Sequence, residues 1–203
     1  MPDPTTVFLV RHGQTDWIGK GIAGRLPDVH LNAEGREQAE RLVTRMRHLP
    51  LRAIYTSPLE RTRETAAPLA DALGLEMRTL PDAVELDFGE WAGQPIPGLA
   101  DDARWRAFNS YRSLSPAPRG ELMPEVQTRI VAAIVRIRAA HPGGAVALFS
   151  HGDVIRSAVA YFAGVPLDLF LRIEIRPASI SSVRFYDDSL QILGVNDTGD
   201  LYA

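Results

Sequence analysis

The sequence contains no cysteine, a single lysine, Lys20, and no excess of positive charge. Without cysteine the chain has no disulfide, no thiolate metal site and no cysteine nucleophile. A formal net charge of -3 gives no general attraction to nucleic acid or to an anionic membrane surface. Any affinity for an anion must therefore come from a local cluster of side chains.

Long apolar runs are also missing from the sequence. No run approaches the length that spans a membrane, and the first residues lack the basic and apolar segments of a signal peptide. We therefore expect a cytoplasmic protein. The composition is ordinary for a globular chain, with 45% apolar and 23% charged residues. A length of 203 residues suits one domain over positions 1–203.

A basic motif follows the first predicted strand. Residues 7–10 are β-branched, aromatic or leucine, which is typical of a buried strand. Arg11, His12 and Gly13 come directly after it, at the carboxyl end of the strand, where ligands bind in open α/β sheets. Histidine can act as a nucleophile near neutral pH, and the planar guanidinium of arginine matches phosphate oxygens. The motif therefore indicates a phosphoryl-binding position.

Two further predicted strands end in the same way. Residues 53–55 form a second apolar run, and residues 57–60 (Ser-Pro-Leu-Glu) match a capping box that places Arg61 in the first turn of a helix. Residues 145–149 predict a third strand, which His151 closely follows. Because parallel strands end at one edge of a sheet, two arginines, two histidines and helix N-termini should converge there. Such a group suits a dianionic phosphoryl group.

The rest of the pattern completes an α/β fold. We predict three layers, αβα, with helices on both faces of a mostly parallel sheet that has an antiparallel edge strand. Residues 80–125 lack regular periodicity and are interpreted as an inserted lid over the crevice. The other predicted elements are a helix from Asn32 to about His48, a helix over residues 121–140, a helix after Asp153, and a hairpin of residues 181–185 and 190–195.

One motif is misleading. Residues 19–24 (Gly-Lys-Gly-Ile-Ala-Gly) fit the G-x-G-x-x-G pattern of dinucleotide-binding loops. That pattern indicates dinucleotide binding when it directly follows a strand and opens a helix. Here the predicted strand ends well before it, and Arg25-Leu26-Pro27 follows instead of a helix. We therefore predict no dinucleotide cofactor.

Together these motifs resemble the histidine phosphatase superfamily, also called phosphoglycerate mutase-like, whose fold the resemblance implies. They occur in family order and span nearly the whole chain. The C-terminal part is similar to a branch often labelled phosphomutase. The motifs are residues 10–15 (Val-Arg-His-Gly-Gln-Thr), 57–62 (Ser-Pro-Leu-Glu-Arg-Thr), Glu85 with 89–91 (Gly-Glu-Trp), and 150–152 (Ser-His-Gly).

The resemblance implies roles for five catalytic residues. His12 would attack phosphorus and become a phosphohistidine. Arg11, Arg61 and His151 would hold the phosphoryl oxygens, on which transition-state charge spreads. Glu85 would protonate the leaving oxygen and later take a proton from water. No metal and no cofactor is implied, because the cations are side chains.

Two positions leave alternatives open. Glu90 lies near Glu85 in the predicted lid and is the alternative general acid. Many family members have a phosphate-contacting asparagine where this chain has Ile18. Isoleucine cannot donate a hydrogen bond, and the candidates to replace it are Gln14, Thr15 and the backbone N–H of Gly24. The predicted phosphate-binding set is Arg11, Gln14, Thr15, Gly24, Arg61, His151 and Gly152.

We predict phosphomonoester hydrolysis, with a small phosphorylated metabolite as the partner. Mutases of this family have a basic stretch after the catalytic glutamate, whereas residues 86–91 (Leu-Asp-Phe-Gly-Glu-Trp) are acidic and resemble the phosphatase pattern. Arg104, Arg106 and Arg112 remain as spare cations for a second anion site, so a cofactor-dependent phosphoglycerate mutase is the alternative. A non-catalytic phosphoryl-binding module is the competing class. A homodimer is also compatible with the sequence.

Overall fold

Six strands form one mixed sheet in the computed structural model, which describes residues 3–199. Strands β1 to β4 run parallel, whereas β5 is antiparallel to both of its neighbours, β1 and β6. The predicted mostly parallel sheet is confirmed, and the antiparallel strand lies one place in from the edge because the second strand of the hairpin covers it. The sheet order is β3 (Met77–Thr79), β2 (Leu51–Thr56), β4 (Ala145–Ser150), β1 (Thr5–Arg11), β5 (Ile180–Phe185) and β6 (Leu190–Asp197).

Helices cover both faces of this sheet, which confirms the three-layer prediction. Helices α1 (Ala33–Met46) and α2 (Glu60–Leu73) pack on one face. Helices α4 (Met123–Ala140) and α5 (Gly152–Ala163) pack on the other. Helix α3 (Ala103–Ser110) belongs to the lid.

Alternation along the central strands builds the two cores. Leu9 and Leu148 point into the core formed with α4 and α5, while their neighbours Val10 and Phe149 point into the core formed with α1 and α2. Successive side chains of a strand face opposite sides of a sheet, so a strand buried on both faces is apolar throughout. This explains why the apolar runs in the sequence predicted the buried strands.

Strand register brings the predicted basic positions to one edge. Arg11 at the end of β1 pairs with Ser150 at the end of β4, and Thr56 at the end of β2 pairs with Phe149. The residues that follow these strands therefore leave the sheet side by side. Helices α2 and α5 begin at the same edge, at Glu60 and Gly152.

Local sequence signals account for several helix ends. The side chain of Asn32 accepts a hydrogen bond of 2.9 Å from the backbone N–H of Gly35 and caps α1, as predicted. The predicted capping box at residues 57–60 is wrong. Helix α2 starts at Glu60 with Leu59 as its N-cap and no side-chain cap. The predicted helix of residues 121–140 begins two residues later, at Met123, and strand β3 was not predicted.

The lid, residues 80–125, consists of α3 and three short 3-10 helices over residues 81–83, 89–91 and 96–99. Its aromatic side chains pack together and join the core formed with α4 and α5, with the Trp91 ring centroid 5.1 Å from that of Trp105 and 5.2 Å from that of Phe108. Backbone hydrogen bonds between Ile22 and residues 93–94 tie the lid to the loop that follows β1. The lid thus closes over the carboxyl edge of the sheet. Within residues 3–199 no helix has the length and apolarity needed to cross a bilayer.

Candidate active site

A cavity of about 300 Å³ opens between the carboxyl edge of the sheet and the lid. His151 lies directly behind it, with its ring centroid 5.3 Å from that of His12. Six of the seven predicted phosphate-binding positions are therefore at or against this cavity. The predicted site residues that line it are Arg11, His12, Thr15, Gly24, Arg61, Glu85 and Gly152.

His12 is held as a neutral imidazole with one nitrogen free. Its Nδ1 lies 2.8 Å from the carbonyl oxygen of Gly13. A carbonyl can only accept a hydrogen bond, so this contact assigns the proton to Nδ1 and leaves a lone pair on Nε2. Burial, then the charges of Arg61 and Arg11, hold the pKa of His12 well below its ordinary value. The ring is thus an available nucleophile at neutral pH.

Two arginines are each anchored at one nitrogen and leave another nitrogen unsatisfied. Nη1 of Arg11 donates to the carbonyl of Ile175 at 2.6 Å, and Nη2 of Arg61 donates to the carbonyl of Gly24 at 2.8 Å. Nε of Arg11 and Nη1 of Arg61 are buried without any hydrogen-bond partner among the described residues. Leaving a buried charged donor unpaired is costly, so these groups are suited to binding an anion.

Gly152 allows Arg11 to lie where it does. A Cβ atom on Gly152 would come 3.2 Å from Cζ of Arg11 and 3.3 Å from its Nε. The absence of a side chain at the start of α5 therefore lets the guanidinium lie against the helix N-terminus. This adds the favourable dipole end of α5 to the same place.

His151 is positioned by a residue that the sequence interpretation assigned to another role. Its Nε2 lies 2.8 Å from Oγ of Ser57, and both side chains are completely buried. Nδ1 of His151 has no partner in the part of the chain that the structure describes. Burial, then Arg61, His12 and Arg11, keep the pKa of His151 well below its ordinary value. With the ring neutral, a hydroxyl proton donated by Ser57 to Nε2 would leave Nδ1 as a donor toward a ligand.

Glu85 is the lid carboxyl that faces the cavity. Its Oε1 accepts a hydrogen bond of 2.9 Å from the backbone N–H of Leu86. Its own carbonyl oxygen accepts from Nε of Arg25 at 2.8 Å and from Nη2 of Arg129 at 3.2 Å. Burial, with a smaller contribution from the negative charge of Asp153, raises the pKa of Glu85 to about 7. A carboxyl with such a pKa can both give and take a proton near neutral pH.

The alternative acid, Glu90, lies outside this cavity. Its carboxylate is 3.1 Å from Nε of Arg119 and 3.7 Å from Nη1 of Arg104, and the side chain is 42% exposed. The geometry therefore favours Glu85 over Glu90 as the general acid.

Gln14 is the predicted phosphate contact that the structure does not bring to the cavity. Its backbone N–H donates to Oε1 of Gln38 at 2.7 Å, and its carbonyl accepts from the N–H of Asn32 at 3.1 Å. It lines a separate depression near Arg45 and Arg176. Of the three candidates to replace the asparagine that many family members have at the position of Ile18, Thr15 and Gly24 line the cavity.

The spare cations named from the sequence separate into two groups. Arg112 lines the cavity, whereas Arg104 and Arg106 do not. Two charged residues that line the cavity were not predicted as site residues, Asp153 and Arg156 on α5. Burial alone would raise the pKa of Asp153, but the charges of Arg112 and Arg156 outweigh it and keep that pKa below its ordinary value.

The assembled site has the properties of an anion pocket with a nucleophile. Two guanidinium groups and one imidazole offer unsatisfied donors around Nε2 of His12, and one protonatable carboxyl stands at the lid side. Within residues 3–199 no group of three or more histidine or acidic side chains is arranged to hold a metal ion. The charge of a bound phosphoryl group would be balanced here by side chains and helix N-termini.

The chain is similar to known proteins over most of its length. The family model of the histidine phosphatase superfamily (branch 1) matches residues 7–198. A probable phosphoglycerate mutase, GpmB, from Enterobacter sp. (strain 638) is 32% identical over 183 residues, which cover 89% of this chain and 85% of that protein.

Two solved structures have the same fold. Bacillus stearothermophilus YhfR superposes with a TM-score of 0.89 at 27% identity, covering 95% of this chain and 97% of that one. A mycobacterial glucosyl-3-phosphoglycerate phosphatase in complex with VO3 superposes with a TM-score of 0.85 at 25% identity, covering 95% and 98% of the two chains.

Proposed function

Because the chain belongs to the histidine phosphatase superfamily, we propose that it hydrolyses phosphomonoesters of small metabolites through a phosphohistidine on His12. The observation that carries the proposal is the set of unsatisfied buried donors on Arg11, Arg61 and His151 beside a histidine whose Nε2 is free. These groups match three phosphoryl oxygens and one attacking atom.

In the first step Nε2 of His12 attacks phosphorus and forms a P–N bond. The P–O bond to the leaving group breaks, and the leaving oxygen takes the proton of Glu85. Arg11, Arg61 and His151 stabilise the charge on the three remaining oxygens. The proton stays on Nδ1 of His12 and remains hydrogen-bonded to the Gly13 carbonyl, so the phosphorylated ring keeps its orientation.

In the second step water replaces the alcohol. The carboxylate of Glu85 takes a proton from the attacking water, the new P–O bond forms, and the P–N bond breaks to release inorganic phosphate. The same carboxyl acts first as acid and then as base, which a pKa of about 7 supports.

The test is the release of inorganic phosphate from p-nitrophenyl phosphate between pH 5 and 8. Wild type should turn over and form an acid-labile phosphoenzyme, and His12→Ala should lose both. His30→Ala is the matched control, because His30 is exposed and pairs with Glu64 outside the cavity. Absence of turnover by wild type would favour the phosphoryl-binding module. A tenth or more of the activity retained by His12→Ala would mean that water attacks directly.

A phosphoglycerate mutase is the second candidate, since relatives at 32% identity carry that name. A mutase must hold a second anionic group of the substrate. It must also return the phosphoryl group to another oxygen of that substrate. The assay supplies 3-phosphoglycerate with a bisphosphoglycerate primer and follows 2-phosphoglycerate and free phosphate together. Phosphate should appear faster, and faster appearance of the isomer would establish the mutase.

A further inference from the structure

The cavity is also lined by two arginines that the proposed reaction does not use. Arg112 comes from the lid and Arg156 from α5. Free guanidinium groups here would bind a carboxylate or a second phosphate on the leaving group. What matters is whether these arginines are available to a substrate.

Both arginines are held by a single carboxylate. Nη1 of Arg112 lies 2.9 Å from Oδ2 of Asp153, and Nη1 of Arg156 bonds to Oδ1 of the same side chain. Each oxygen of Asp153 thus binds one guanidinium. The ion pairs are largely buried, with side-chain exposures of 5% for Arg112, 16% for Arg156 and 14% for Asp153, and solvent screens such pairs weakly.

The other donors of these arginines are largely occupied as well. Nε of Arg156 donates to the carbonyl of Ile173 at 2.8 Å, and Nη2 of Arg112 donates to Oδ1 of Asn109 at 2.9 Å. The guanidinium of Arg112 also lies over the Phe108 ring, 3.9 Å from its centroid. Nε of Arg112 is buried without a partner in the described residues, and Nη2 of Arg156 makes no hydrogen bond to them, so each arginine keeps one unbonded nitrogen and has its other two occupied.

Apart from Asn109, which accepts a hydrogen bond from Arg112, the remaining side chains of the cavity wall are apolar. The side chains that form it come from the loop after β1 and from the lid, and hydrogen bonds of 3.0 Å from Ile22 N–H to the Gln94 carbonyl and from Ile96 N–H to the Lys20 carbonyl hold these segments together. The acidic lid residues Asp87 and Glu90 do not line the cavity, so they do not set its charge. The wall consists of Trp17, Ile18, Ile22, Phe88, Ile96 and Trp105.

We propose that Asp153 is a specificity-determining residue. It withholds Arg112 and Arg156 from the substrate, so that the cavity selects phosphomonoesters whose leaving group is uncharged and apolar. The inference rests on the proposed function and adds the substrate class. A leaving group with an aryl or alkyl body would bury its surface against the apolar wall, whereas a carboxylate would have to compete with Asp153 for each arginine.

The test compares two phosphate esters of primary alcohols, 2-phenylethyl phosphate and 3-phosphoglycerate. Their leaving oxygens are of one type, so the ratio of their kcat/KM values reports the contacts of the rest of the molecule. Wild type should favour 2-phenylethyl phosphate by tenfold or more. Asp153→Asn has the same shape but loses the negative charge and one of the two acceptor oxygens, so it holds the arginines less strongly and should move the ratio at least tenfold toward 3-phosphoglycerate.

Asp168→Asn is the matched control. Asp168 holds the next lid residue, Ser113, accepting from its backbone N–H at 2.8 Å and from its hydroxyl at 2.9 Å, and it does not line the cavity. This variant should loosen the lid similarly and leave the ratio unchanged. If Asp153→Asn does not fold, Trp105→Ala provides a second variant that should lower kcat/KM for 2-phenylethyl phosphate more than for 3-phosphoglycerate.

A wild-type preference for 3-phosphoglycerate, or an unchanged ratio in Asp153→Asn, would overturn the assignment. Turnover of p-nitrophenyl phosphate that depends on His12 separates this failure from failure of the proposed function. If that turnover is present and the ratio is wrong, only the role of Asp153 is refuted. If wild type turns over none of the three esters, both proposals are refuted.

Discussion

Ser57 and His151 share a buried hydrogen bond of 2.8 Å between Oγ and Nε2, across 94 positions of sequence. The sequence pattern assigned Ser57 to a helix cap. Its hydroxyl is instead hydrogen-bonded to the imidazole of His151, and α2 starts without a side-chain cap. This bond positions the ring of His151 and selects the nitrogen that faces a phosphoryl group. Ser57 is thus a positioning residue in the proposed reaction, acting through His151.

Removing that hydroxyl should impair the site more than the fold. In Ser57→Ala, Nε2 of His151 loses its partner, and the ring can take the tautomer that has no proton on Nδ1. We expect kcat/KM for p-nitrophenyl phosphate to fall roughly tenfold, since a hydrogen bond contributes about 0.5–1.5 kcal/mol. The phosphoenzyme should still form, because His12 is untouched.

Ser157→Ala is the control for the Ser57 variant. The Ser157 hydroxyl is also buried and donates to the Val154 carbonyl at 2.8 Å within α5. It should lower the free energy of unfolding by a comparable amount and retain wild-type kcat/KM. Equal activity losses in the two variants would mean that Ser57 has only a structural role.

The sequence predicted the parts of the site that depend on strand ends. Apolar runs located β1, β2 and β4, and Arg11, Arg61 and His151 follow these strands, so parallel pairing alone brings them together. The same reasoning could not orient Gln14, because the loop after β1 turns its backbone toward Gln38 of α1. Position after a strand therefore predicts proximity, and side-chain direction depends on the loop.

Contacts made by the lid were beyond prediction for a different reason. Arg112 meets Asp153 across 41 positions, and the lid has no period that indicates which of its side chains point inward. Glu90 was the alternative general acid in the acidic stretch of residues 86–91, but both Glu90 and Asp87 lie outside the cavity. Asp87 pairs with Arg25 of the loop after β1, and Glu90 pairs with Arg104 and Arg119 of the lid, which accounts for their placement.

Gly152→Ala should lower activity without a loss of stability. A Cβ atom would come 3.2 Å from Cζ of Arg11, whose Nη1 is fixed by the Ile175 carbonyl at 2.6 Å, so the guanidinium must shift or give up this bond. We expect kcat/KM to fall about tenfold, mainly through a higher KM. The free energy of unfolding should stay within about 1 kcal/mol, because alanine is the better helix former.

Gly194→Ala is the comparison for the glycine variant. A Cβ atom at this position of β6 would have Ser182 Oγ as its nearest neighbour, at 3.9 Å. It should leave kcat/KM unchanged. Wild-type kinetics in Gly152→Ala would show that Arg11 does not need its present position to bind phosphate.

Glu85→Gln should separate substrates by their leaving groups. The amide can still accept the hydrogen bond from Leu86, but it cannot donate a proton to the leaving oxygen as an acid does. Alkyl phosphates should slow about 10²- to 10⁴-fold, which is the usual contribution of general acid catalysis. p-Nitrophenyl phosphate should slow far less, since its leaving group needs little protonation. Glu90→Gln should affect neither substrate, and equal losses on both esters in Glu85→Gln would move the acid role elsewhere.

The same substitution should stabilise the fold, in a pH-dependent way. Burial raises the pKa of Glu85 from an ordinary value of 4.5 to about 7. Between these pH values the unfolded chain releases the proton and the folded chain keeps it, so the stability of wild type falls as pH rises across that window. At about 1.4 kcal/mol per pKa unit, the loss amounts to roughly 3–4 kcal/mol above pH 7. Glu85→Gln has no carboxyl group to ionise at this position and therefore avoids this loss of stability.

Urea unfolding of wild type and Glu85→Gln at pH 4.5, 6 and 8 measures this effect. The variant should gain free energy of unfolding relative to wild type as pH rises, with most of the gain present by pH 8. Glu90→Gln is the control substitution, because the Glu90 side chain is 42% exposed and lies outside the cavity. A difference between wild type and Glu85→Gln that stays constant with pH would show that Glu85 titrates as an ordinary carboxyl. Glu85 would then be ionised at neutral pH and could not serve as the acid of the first step.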